Sequence, residues 1–223
     1  GILEVEKCQF IENKGSNGGA IFSMNSLTVR DSVFSNNTSN GITGGAIVAD
    51  GDLRIEYSRF LRNECTKGQG GAIYMDGLSS MINNCSFHHN KAKNGGALYS
   101  GGQSLTLSSC ILSYNDALNN GGALSNAQSK VKVKDCAIAQ NKAERGAGIF
   151  SNEGKIEIVK SSFSTNEALL EGGGMYINEC KMMARKLIFS NNKASQGEGI
   201  YAKSTEEQCA YNDAFCTKLY KKD

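Results

Sequence analysis

Apolar residues in this chain come in short runs in which every second position is polar: Leu27 and Val29, Leu53 and Ile55, Leu105 and Leu107, Val131 and Val133, Ile156 and Ile158. Period-two alternation over so few residues predicts short strands with one buried face, and no window sustains a helical period. Clusters of Gly, Asn and Ser separate the runs, as turns between many short strands do.

The runs recur at a fixed interval. A glycine falls at Gly18, Gly44, Gly70, Gly95, Gly121, Gly146, Gly172 and Gly197, in steps of 25 or 26 residues. Three residues after each stands an aliphatic side chain: Ile21, Ile47, Ile73, Leu98, Leu124, Ile149, Met175 and Ile200. A second landmark is an apolar residue three before an asparagine. It runs from Phe10 with Asn13, Phe34 with Asn37, Phe60 with Asn63 and Phe87 with Asn90 to Leu112 with Asn115, Ile138 with Asn141, Phe163 with Asn166 and Phe189 with Asn192. A unit of this length, holding three short strands and turns, cannot bury its apolar face alone. Stacked at one strand spacing, about 4.8 Å, units place like over like and close a core. The expected fold is all-β, a right-handed parallel β-helix (β-solenoid) of about eight coils over residues 1–202, with 203–223 a tail or cap.

Each column has a physical reason. Glycine permits φ above zero and close backbone approach. Asparagine at a turn tolerates the left-handed region and can bond its amide to the asparagines above and below. Two residues after each asparagine the side chain is small (Gly15, Ser39, Cys65, Ala92, Ala117, Ala143, Ala168, Ala194), which predicts a tight inward corner. The residue between them alternates in sign as Glu64, Lys91, Asp116, Lys142, Glu167 and Lys193, so stacked opposite charges help fix the register.

Charge and composition narrow the partners. With 24 basic and 22 acidic residues spread along the sequence, the net charge is only +2, and no basic stripe marks a nucleic-acid or acidic-lipid partner. No stretch approaches the roughly 18 apolar residues of a membrane span. Residues Gly1 to Lys7 lack the apolar core of a secretory signal, and a chain opening in mid-pattern reads as a mature piece or an excerpt.

The paired motifs Gly18-Gly19-Ala20-Ile21, Gly44-Gly45-Ala46-Ile47 and Gly70-Gly71-Ala72-Ile73, with their Phe-x-x-Asn partners, resemble the repeat of the polymorphic membrane proteins of chlamydiae. Those are autotransporter adhesins with a β-helical passenger. The resemblance covers residues 1 to about 202 and implies an adhesive rod outside the cell, at the outer membrane for a bacterial passenger. Coils at Gly146-Ala147-Gly148, Gly172-Gly173-Gly174 and Gly197-Glu198-Gly199 drift from the motif while staying small or apolar in most positions.

Candidate chemistry is sparse. Cys8, Cys85, Cys110 and Cys136 share a column with Ser32, Ser58 and Ser161, and Cys65 sits in the small corner column. Buried thiols are the first reading, bridges between adjacent coils the second. Cys209 and Cys216 are a candidate disulfide, to each other or to Cys180, capping the open end. After the inward aliphatic comes a ring in most coils, Phe22, Tyr74, Tyr99, Phe150, Tyr176 and Tyr201, interrupted by Val48 and Ser125. Alternation puts this stripe outside, where it could stack on sugars or on a neighbouring rod, or simply pack under turns.

The pectate lyases and polygalacturonases share the expected architecture, but they need carboxylates clustered on neighbouring coils, and scanning the columns finds none: Asp31 and Asp135 lie four coils apart. His88 and His89 read as solvated turn residues. The glycine runs lack a phosphate-loop ending, and neither a zinc spacing nor the aspartates of calcium-binding repeats are present. Among the sequons Asn36, Asn37 and Asn84, Asn37 belongs to the ladder, leaving Asn36 as the candidate glycan site. The expectation is a non-enzymatic structural or adhesive rod of a secreted or surface protein. It needs no cofactor, and its partner is a protein or glycan at a surface, or copies of itself in a fibre. A polysaccharide-active enzyme and a filament-forming subunit are the alternatives.

Overall fold

A computed structural model describes residues 1–203 and 206–207. All pairing in it is parallel, and each strand pairs with its counterpart one coil away, as in Ile47 with Ile73, Ile73 with Leu98, and Leu98 with Leu124. The same column runs on through Ile149 and Met175 to Ile200, so the like-over-like stack predicted from the spacing is present. The fold is an all-parallel β-solenoid of about eight turns without helices among the described residues.

A coil has four strand segments rather than the three expected. One example runs Ile73–Met75, Ser80–Asn83, Ser86–His88 and Lys91–Asn94. The extra segment arises because a bend splits the longest face in two; in later coils hydrogen bonding continues through it, giving the single strands Ile149–Val159 and Met175–Arg185. Backbone pairing extends to Glu206–Glu207, which lie beside Lys181 and Met182.

The interior is filled by columns. Phe10, Phe34, Phe60 and Phe87 stack with ring centroids 4.7, 4.8 and 4.8 Å apart, and Phe163 stacks on Phe189 at 4.9 Å. Phe34, Phe60, Phe87 and Phe163 are fully buried, each contributing about 1.5–3 kcal/mol by leaving water. In the corner column Ser39, Cys65, Ala92, Ala117, Ala143 and Ala168 are buried, with Ala147 packed among the last three.

The asparagines differ from expectation in one respect. They do not adopt the left-handed conformation; the residue before each does, at Glu12, Asn36, Arg62, His89, Tyr114, Gln140, Thr165 and Asn191. That frees the asparagine side chain to turn inward. From Asn37 to Asn166 each is fully buried and bonds to the next, through Asn192. The glycine column is left-handed throughout, and at Gly70 (φ 70°) a Cβ would lie 2.3 Å from the Ile73 carbonyl oxygen, so no side chain fits. In the alternating charge column the backbone partners fall in register, and Lys142 reaches Glu167 at 3.4 Å.

Candidate functional site

The aromatic stripe is built on the segments that follow the glycine corner. Phe22 is 49% exposed, while Tyr74, Tyr99, Phe150, Tyr176 and Tyr201 are half-buried and the interrupting Val48 and Ser125 are buried. The rings stack on one another: Tyr74 on Tyr99 at 5.4 Å and 4°, Phe150 on Tyr176 at 5.0 Å, Tyr176 on Tyr201 at 5.3 Å. Stacking consumes ring faces, so the stripe turns mainly edges and hydroxyls outward, which suits hydrogen bonding better than stacking on a sugar face.

Contrary to the expectation of no clustered carboxylates, a pair stands beside Tyr74 on neighbouring coils. Asp50 and Asp76 are exposed and occupy the same position, three residues beyond Ile47 and Ile73, on neighbouring coils. Burial, then the negative charge of Asp76, raises the Asp50 carboxyl above the ordinary range. Burial, followed by Asp76, Tyr99 and Asp50, pushes the Tyr74 hydroxyl up to about 12. Tyr74 is therefore a neutral hydrogen-bond donor at physiological pH. Asp31 and Asp135, four coils apart, form no such pair.

His88 is not a solvated turn residue. It ends the strand Ser86–His88, is half-buried, and its Nδ1 lies 2.6 Å from Ser113 Oγ; burial, then His89 and Arg59, lower its pKa. His89 is the exposed turn residue and stacks on Tyr114 at 5.0 Å. Of the five cysteines read as buried thiols, Cys65, Cys85, Cys110 and Cys136 are buried and free, while Cys8 is free but exposed. The serines and thiols of that column cap one another's backbone: Ser58 Oγ accepts from Ser32 N at 3.1 Å, Cys136 Sγ from Cys110 N at 3.5 Å. Cys180 is buried and free, and Cys209 and Cys216 lie outside the described residues. Among the described residues no group of three or more His, Cys, Asp or Glu is placed to hold a metal ion, and no helix is long and apolar enough to cross a membrane.

Residues 43–192 match the family described as a right-handed beta helix region. The chain belongs to the right-handed β-helix family. No curated protein and no solved structure matches it. In this β-helix Asn36 is exposed at a left-handed position, its Nδ2 bonded to Ser35 Oγ at 3.0 Å, whereas Asn37 is wholly buried in the ladder and closed to a glycan. The β-helix also corrects the reading of an even charge distribution. Coil stacking gathers cations that are distant in sequence onto one lateral face, over residues 130–135, 155–160 and 181–186.

Proposed function

We propose that this β-helix is a non-enzymatic rod of a secreted or surface protein and works by displaying its lateral faces, for adhesion or as coat or fibre structure. The observation that carries the reading is the constancy of the cross-section. Glycine corners recur every 25 or 26 residues, and the longest connection between described strand segments, 191–199, is nine residues. Loops that wall a cleft are usually longer than this. A rod without such walls offers long, flat, regular surfaces. The likeness of the Gly-Gly-Ala-Ile and Phe-x-x-Asn motifs to the chlamydial adhesin repeat supports the adhesive version.

Asp50 and Asp76 beside Tyr74 favour one rival, a polysaccharide-active enzyme, since paired carboxylates on neighbouring coils are suited to acid–base work. Incubating the 223-residue chain with a panel of acidic and neutral glycans separates the readings. The rod reading expects neither new reducing ends nor unsaturated products. Product release that Asp76→Asn abolishes would overturn it. Electron microscopy of the same preparation separates dispersed rods from filaments of stacked copies.

A further inference from the structure

We infer that the lateral face formed by residues 130–135, 155–160 and 181–186 binds an acidic polysaccharide laid along the rod axis. This names a ligand class for the display surface proposed above and rests on that reading. The three segments carry eight lysines and arginines against two acids, a net of +6 on a chain whose whole net charge is +2. Register places Lys155 directly over Lys130 and Lys181 over Lys155, three exposed cations in one column. The two acids are engaged, Glu157 with Lys132 at 3.6 Å and Asp135 with Lys134 at 3.7 Å. Lys130, Lys155, Lys160, Lys181 and Arg185 have no ion pair among the described residues.

Like charges one strand spacing apart lie well within the Debye length, about 10 Å at 0.1 M salt, and stacking them opposes the fold. Elsewhere the same chain avoids that cost by alternating sign from Glu64 to Lys193. A cationic column kept against stability is what a binding face for a polyanion requires. Its geometry selects the polymer. Cations repeat along a straight line once per coil, at an interval close to the length of one sugar ring, as an acidic glycan with a charge on each ring would need. One coil down the same columns turn to half-exposed hydroxyls, with Lys130 over Ser104, Lys132 over Thr106 and Lys134 over Ser108. Ser104 and Ser108 donate to the Leu78 carbonyl and Asn83 Oδ1, which leaves their oxygens to accept from sugar hydroxyls. The three cationic segments contain no aromatic ring on which a nucleic-acid base could stack.

The test measures binding of the full chain to immobilised polygalacturonate and heparin, with single-stranded DNA and phosphatidylserine vesicles in parallel. Two triple variants share one change in charge: K130Q/K155Q/K181Q on the face, and K91Q/K142Q/K193Q in the alternating column. Expected is salt-sensitive binding to at least one polysaccharide. The face variant weakens it about tenfold or more and flattens the salt dependence by roughly two to three units of log–log slope, while the other variant changes it less than about twofold. Circular dichroism checks that both variants fold. Equal losses in the two variants, or binding of only DNA or vesicles, overturn the inference. Absence of all binding also overturns it while leaving the rod reading standing, because that reading falls on product release from the same polysaccharides.

Discussion

Asn90 donates through Nδ2 to Oδ1 of Asn115 at 3.0 Å, and the same oxygen accepts the backbone N–H of Asn90, also at 3.0 Å. Asn115 in turn donates through its own Nδ2 to Asn141 Oδ1 and to the Phe87 carbonyl, so one side chain closes four hydrogen bonds across neighbouring coils at full burial. Replacing it leaves two donors of Asn90 without their acceptor. Each orphaned buried group costs about 1–3 kcal/mol. Asn115→Ala is therefore expected to destabilise by about 3 kcal/mol or more in chemical denaturation, and a loss below about 1 kcal/mol would show that water substitutes for the ladder.

The corner just before the ladder holds a second lever. Thr165 is exposed with φ 57°, a region that a β-branched residue adopts only under strain of about 1 kcal/mol or more. Thr165→Asn and Thr165→Gly are expected to raise stability by about 0.5–1 kcal/mol, Asn without adding freedom to the unfolded chain. Ser164→Gly, on the strand next to it, is expected to lower stability, and equal effects at the two positions would remove the strain argument.

These two levers also mark what was legible in the sequence. The ladder was visible because asparagine recurs eight times at one offset from an apolar residue, and side-chain identity is what sequence records. The left-handed column beside it was not, because Glu12, Arg62, His89, Tyr114 and Thr165 share a backbone conformation and no chemistry. Lys130, Lys155 and Lys181 escaped for another reason. Net charge averages over the chain, whereas the face exists only after coils stack, when residues 25 or 26 apart become neighbours. Asp50 and Asp76 share a column only two residues long, and a period shows itself only through repetition. The half-burial of the ring stripe depends on how turns lie over it, which spacing does not encode.

Thiol reactivity should follow depth. Burial pushes the Cys65 and Cys180 thiols up, and at Cys110 the neighbouring thiols of Cys136 and Cys85, then burial, act in the same direction. The thiolate is the reactive form. Iodoacetamide at pH 8, followed by peptide mapping, should alkylate Cys8 in the native chain and spare these three until denaturant is added. Labelling of Cys110 as fast as Cys8 would mean that the coils open locally or that the column is not packed as described.

Acid sensitivity should trace in part to His88. Burial, then His89 and Arg59, lower its folded pKa below the ordinary 6.5, while Ser113 Oγ sits against Nδ1. Between the folded value and about 6.5 the unfolded chain holds more protons, so stability falls as pH drops through that window and levels off below the folded pKa. His88→Gln keeps a polar partner for Ser113 and removes the titration. Denaturation free energies of both chains from pH 7.5 to 5 should therefore converge as pH falls, the variant showing the shallower loss, and taking their difference cancels the carboxylates common to both. Parallel curves would assign the acid sensitivity elsewhere and leave the His88 contact a matter of packing alone.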